Sequence, residues 1–122
     1  MLSIGMVMID CEDPAVMAEF WRQALDTEVA HDSGDVVVLA GSPGLGLHRV
    51  EDRTPGKNRL HLEFYDEDRT HAVARLVELG AEVVRTHDVE GYCWTVMADP
   101  EGNQFCVSDP PERAEGPHPG EG

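Results

Sequence analysis

Residues 60–83 read LHLEFYDEDRTHAVARLVELGAEV, and this stretch decides the fold because its pattern recurs in outline in the other half of the chain. Leu60 to Tyr65 predicts a strand, with Leu62 and Phe64 on one face and His61, Glu63 and Tyr65 on the other. Asp68 predicts a helix cap. Ala72, Val73, Leu76 and Val77 then form the buried stripe of that helix, and Gly80 ends it in a left-handed conformation. Further strands are predicted at Glu82 to Arg85, Cys93 to Ala98 and Gln104 to Val107, the last two joined by the turn Asp99-Pro100-Glu101-Gly102-Asn103.

The first half carries the same succession. Ile4 to Ile9 is apolar on both parities, as expected for a strand covered on two sides. Asp13-Pro14 opens a helix whose stripe is Val16, Met17, Phe20, Trp21, Ala24 and Leu25. Two or three short strands follow, among them Val36 to Leu39 and Leu45 to His48, set off by Asp32 to Asp35 and Gly41 to Gly44. The polar run Arg53 to Asn58 connects the halves. Met6 aligns with His61 and Asp13 with Asp68 at an offset of 55, and Val38 with Val96 at 58, which sets His48 against Cys106. Two copies of a strand, a helix and three strands imply an α+β fold. Each copy has one sheet face covered by its own helix and another turned toward a partner unit.

Composition bounds the function. A chain of 122 residues has room for one compact domain. Its 9 basic against 24 acidic side chains give 9 − 24 = −15, a charge that repels phosphate backbones and anionic lipid and attracts cations. Nucleic acid and membrane partners are disfavoured. Met1 to Asp10 shows no signal-peptide pattern, so a cytoplasmic location is expected. Cys11, Cys93 and Cys106, without CxxC spacing, are expected as reduced thiols.

Strand parity assigns the inner faces. Met6, Met8 and Asp10 fall there on the first strand, His61, Glu63 and Tyr65 on its counterpart, and His48, Gln104 and Cys106 on the closing strands. Met6, His48, His61 and Cys106 thus form a set of imidazole, thiol and thioether donors suited to a soft or borderline ion. The residue types favour ordinary packing over a metal site, since Met and Cys are common core residues and a lone His is more often hydrogen-bonded structure than ligand. Glu63 is a candidate proton acceptor beside His61, or else an ion-pair partner of Arg59 or His61. Tyr92 and Trp94, after the loop Asp88 to Gly91, either wall a cavity for a flat or cationic guest or simply pack. Cys106 as a nucleophile is disfavoured in so acidic a chain. The residues from Asp109 to Gly122, rich in Pro, Gly and Glu, lack the apolar residues to pack and are expected to be mobile.

The paired units, Arg59-Leu60-His61-Leu62-Glu63-Phe64 opening the second and Ala98-Asp99-Pro100-Glu101-Gly102-Asn103-Gln104-Phe105-Cys106-Val107 closing it, resemble the vicinal-oxygen-chelate superfamily. Within it they resemble the glyoxalase-like, bleomycin-resistance-like branch. The resemblance implies tandem βαβββ modules in an open half-barrel, a single domain over 1–109 with module one at 3–52 and module two at 59–109, a flexible tail over 110–122, and a homodimer. Enzymes of the superfamily hold a divalent metal through His, Gln or Glu on the first and last strands of the modules. His61 matches such a position, but Met6 stands where His or Gln would be and Cys106 where the last-strand Glu would be, with His48 as a stand-in. No metal or other cofactor is therefore expected, a divalent metal on His61 and His48 being the alternative.

The leading expectation is metal-free binding of a small molecule, such as sequestration of a cationic aromatic antibiotic, at Met6, Met8, His48, His61, Glu63, Tyr65, Tyr92, Trp94, Gln104 and Cys106. The alternatives are a lyase or isomerase of the glyoxalase type, with His61 and Glu63 moving protons near an atypical divalent metal, and a degenerate module with an interaction role.

Overall fold

The structure is a computed structural model that describes residue 1, residues 4–52 and residues 60–110. The connection Arg53 to Asn58, Arg59 and the tail beyond Pro110 lie outside the described residues. The chain divides into two compact units, Met1–Thr54 and Pro55–Gly122.

In the first unit the strand β1 (Met6–Cys11) leads into the helix α1 (Pro14–Leu25), followed by β2 (Val29–Asp32), β3 (Val36–Leu39) and β4 (Gly44–Arg49). Asp13 caps α1 by accepting hydrogen bonds from the backbone N–H groups of Ala15 and Val16, and Pro14 occupies the first turn, where its missing donor costs nothing. The sheet order is β1-β4-β3-β2, with β1 and β4 parallel. α1 packs on β3 and β4, burying Met17, Phe20 and Trp21 with Val37, Leu39, Leu45 and Leu47. Each such side chain contributes about 1.5–3 kcal/mol by leaving water.

Three expectations need correction in this unit. The first strand begins at Met6 rather than Ile4, because its ladder partner starts with Gly44 opposite Met6. The helix stripe is Pro14, Met17, Ala18, Phe20 and Trp21, while Val16 and Leu25 are exposed, one on the flank and the other at the last position of the helix. The apolar run is not covered on both sides, since Met6 and Met8 remain 42% and 47% exposed.

The second unit repeats the wiring with β5 (Leu62–Tyr65), α2 (Arg69–Leu79), β6 (Glu82–Val89), β7 (Tyr92–Ala98) and β8 (Gln104–Ser108). Its sheet order is β5-β8-β7-β6, with β5 and β8 parallel. Asp68 caps α2 through the His71 N–H, and Gly80 closes it with φ +120°. The predicted stripe of α2 is only half-buried, and Val77 is exposed. Phe105, Val107, Met97 and Thr95 supply the buried layer beneath it, with Phe64 and Phe105 meeting edge to face at 5.8 Å.

The second strand of this unit runs to Val89, so the expected loop from Asp88 to Gly91 shrinks to a turn at Glu90 and Gly91, both with positive φ. Asp109 does not belong to a mobile tail. Its backbone oxygen accepts from the Tyr92 hydroxyl at 2.7 Å, and its carboxylate accepts from the Cys93 N–H at 2.8 Å. The same carboxylate lies 3.4 Å from Arg69 Nε.

Candidate functional site

Alternate residues of a strand share a face, so β8 presents Gln104, Cys106 and Ser108 on the side away from Phe105 and Val107. The ladder sets Glu63 opposite Cys106 and Tyr65 opposite Ser108 on one flank, and Val96 and Trp94 opposite the same two residues on the other. His61 has the parity of Glu63 and immediately precedes β5. As a result a ring nitrogen of His61, a carboxylate oxygen of Glu63 and Sγ of Cys106 lie within 4.8 Å of one another. It is the only such trio among the described residues. Cys106 is buried, and His61 and Glu63 are half-buried.

The surroundings are polar for a covered face. Gln104 Oε1 and Ser108 Oγ are buried with no hydrogen-bond partner among the described residues, a condition that costs about 1–3 kcal/mol per group. Burial, and then the Glu63 carboxylate, push the Tyr65 phenol above its ordinary range, so it remains a protonated donor. The Cys93 thiol has the opposite parity, and burial followed by the charge of Asp88 pushes it up, which disfavours its thiolate.

Tyr92 opens β7 directly after the turn at Glu90 and Gly91, and Trp94 lies within the strand. They are buried in a cluster with Val96 and Cys106. His87 stacks on Trp94 at 4.8 Å with the rings 19° apart, and Arg85 Nε donates to His87 Nε2 at 3.2 Å.

In the first unit Met6 and Met8 share a face with His48 but not a rung, because Met6 lies opposite Gly44, Met8 opposite Gly46 and Asp10 opposite His48. His48 Nδ1 is 3.7 Å from Asp10 Oδ1. The ladders also refine the repeat. If His48 is equivalent to Cys106, their partners Asp10 and Glu63 are equivalent, and Met8 rather than Met6 corresponds to His61. The pairing of Met6 with His61 and that of His48 with Cys106 cannot both hold. Asp10 as the partner of His48, and Ser108 beside Cys106, were missed by the sequence reading. Parity places both on these faces, but only register identifies their neighbours.

The sequence matches the family model of the glyoxalase-like domain over residues 6–108. No curated protein matches it. Among solved structures it is similar to a glyoxalase/bleomycin resistance protein/dioxygenase family enzyme from Burkholderia phytofirmans PsJN, with TM-score 0.74, 20% identity, and coverage of 88% of this chain and 98% of that one. A glyoxalase-related enzyme from Fulvimarina pelagi gives TM-score 0.75 and 15% identity, covering 91% of this chain and 90% of that one. A lactoylglutathione lyase from Agrobacterium tumefaciens gives 0.67 and 21%, covering 88% and 92%. At these identities the likeness establishes the fold. No helix among the described residues is long and apolar enough to cross a membrane.

Proposed function

Because the chain belongs to the glyoxalase-like domain family, we propose that it binds a small oxygen-bearing molecule on the face of the second sheet that carries His61, Glu63 and Cys106, and acts there as a lyase or isomerase. The observation that carries this reading is the convergence of one nitrogen, one oxygen and one sulfur donor within 4.8 Å. The family implies a divalent metal, and the donor set fits one. His61, Glu63 and Cys106 would hold it through an imidazole nitrogen, a carboxylate oxygen and a sulfur, donor types that a borderline divalent ion accepts. Glu63, on the first strand of its unit, supplies the carboxylate that Cys106 does not.

A cation so held would polarise a carbonyl oxygen of the guest. Around it, His61 and Cys106 fix the floor of the site, and Tyr65 offers its phenol proton as a hydrogen-bond donor. The charge of −15 raises the local concentration of cations. That charge also favours a second reading, metal-free sequestration of a cationic guest. Burial of Tyr92 and Trp94, with His87 already stacked on the indole, weakens it, since little aromatic surface is left for stacking.

The test is metal analysis of the purified full chain, with isomerisation of the hemithioacetal of methylglyoxal and a thiol measured before and after Zn²⁺ or Ni²⁺ is added. Stoichiometric metal with turnover supports the reading. No bound metal and no turnover, with tryptophan fluorescence shifting on addition of a cationic aromatic compound, would replace it with sequestration. Sedimentation of the same sample reports whether the chain forms the homodimer we propose for it.

A further inference from the structure

Cys106 differs chemically from the two donors beside it. His61 and Glu63 offer imidazole nitrogen and carboxylate oxygen, which borderline and hard ions accept. A thiolate is a soft donor that Zn²⁺, Co²⁺ and Cd²⁺ accept and that Mg²⁺ and Mn²⁺ do not favour. The thiol is buried among Tyr92, Trp94 and Val96, with its sulfur within 4.8 Å of the other two donor atoms. Among the described residues no second cysteine belongs to the group, and Cys93 has the opposite parity to Trp94 and Val96 on its strand.

A second observation points the same way. A metal-bound imidazole usually donates its other N–H to a carbonyl or carboxylate oxygen, which fixes the ring. Gln104 Oε1, on the same face of β8 and one rung before the Leu62 and Phe105 pair, is a buried acceptor with no partner among the described residues. Extending the register of β5 and β8 by one residue sets His61, which immediately precedes β5, opposite Gln104.

We infer that the His61, Glu63 and Cys106 site selects thiophilic divalent cations of the zinc type over oxygen-seeking ions, with Cys106 as a thiolate ligand and Gln104 as the positioning residue for His61. Binding replaces the S–H bond of Cys106 with a sulfur–metal bond and releases one proton to solvent, with no change in oxidation state. The inference rests on the reading given under Proposed function and deepens it by naming the class of ion.

The experiment uses the reduced full chain. Co²⁺ titration should produce a near-ultraviolet sulfur-to-cobalt charge-transfer band. Calorimetry with Zn²⁺ in buffers of different ionisation enthalpy should show about one proton released per ion. Mn²⁺ or Mg²⁺ in large excess should not displace Zn²⁺. Cys106→Ser should lose the band and the proton release and bind Zn²⁺ about 100-fold more weakly or worse, at least the loss typical of disturbing an outer-shell partner. Cys93→Ser should keep all three properties. Gln104→Leu should weaken Zn²⁺ by about 10- to 100-fold while keeping the band. Circular dichroism checks that each variant is folded, and Cys106→Asp, which restores an oxygen donor, should improve Mn²⁺ binding relative to wild type even if Cys106→Ser is unstable. Zn²⁺ binding with no band, or a band that survives in Cys106→Ser, overturns the inference and leaves the proposed function standing. Failure of wild type to bind any of these ions overturns both.

Discussion

Two single residues carry disproportionate structural weight, and each can be tested by one substitution. At Gly46 a Cβ would lie 2.6 Å from Met8 Sδ and 2.9 Å from Met6 Sδ, so the glycine makes room for two thioethers over the centre of the first sheet. These are the ends of flexible side chains, which can give way at moderate expense. Gly46→Ala should therefore lower stability by about 1 kcal/mol in urea titration, at the low end for overpacking. In a background carrying both Met6→Ala and Met8→Ala the same change should be neutral or stabilising, because alanine restricts the unfolded chain more than glycine does. An identical penalty in both backgrounds would show that the sulfurs are not the cause. Asp99 is only 3% exposed. Its carboxylate accepts from the backbone N–H groups of Glu101 and Asn103, each at 2.9 Å, and from the Asn103 side-chain amide at 2.9 and 3.1 Å. Asp99→Ala should cost about 2–4 kcal/mol, since several donors lose a charged acceptor at once. A loss below about 0.5 kcal/mol, the range of an ordinary surface change, would mean the turn is held by its backbone alone. The turn itself was legible in Asp99-Pro100-Glu101-Gly102-Asn103, whereas the crowding over Gly46 was not, because it depends on which residue of β4 faces Met8.

The elements were legible where a local signal sets their ends. Asp13 and Asp68 are caps, and Gly80 closes α2 at positive φ, as the residue types require. They were less legible where the neighbour decides. β1 starts where β4 gives it a partner, and β6 extends to Val89 because β7 pairs with it along its length, Val89 lying opposite Tyr92. The candidate site follows the same rule. Strand parity put His61, Glu63 and Cys106 on one face, but their mutual approach needed the Glu63 and Cys106 rung. The α2 cap also carries a pH dependence. The Asp68 carboxyl is held below its ordinary range first by the His71 backbone N–H and then by the Thr70 hydroxyl. A carboxylate whose folded pKa is depressed stabilises the fold above its unfolded pKa and loses that contribution as pH falls through the folded value. The stability gap between wild type and Asp68→Ala should thus be full at neutral pH and shrink steadily under acid. Urea titrations at a series of pH values would show it, and a gap that widened toward low pH would contradict the assignment.

At the scale of the molecule the same wiring occurs twice, first strand beside last and the second strand at the far edge, in β1-β4-β3-β2 and in β5-β8-β7-β6. The duplication was legible because caps and turns recur at nearly constant offsets. The differing equivalences of Met6 and Met8 were not, since a two-residue slip preserves the parity on which the reading depended. What the duplicated chain does not balance is its charge. With 24 acidic and 9 basic side chains the net charge is −15, and folding brings those like charges closer together than they stand in the unfolded chain. Screening should relieve this, as the Debye length falls from about 10 Å at 0.1 M salt to about 3 Å at 1 M. The ion pairs work in the opposite direction, but those of Arg22 and Arg49 are exposed, and such pairs contribute at most about 1 kcal/mol each. Repulsion should therefore win. Raising KCl from low to half-molar concentration should lift the melting temperature by about 3–6 °C, corresponding to about 1 kcal/mol for a chain of this size. NaCl should act equally, which separates screening from ion-specific effects, and in metal-free buffer the shift should not depend on Cys106. A melting temperature that stays flat or falls with either salt would mean that local pairing outweighs the net charge and that the acidity has no cost to stability.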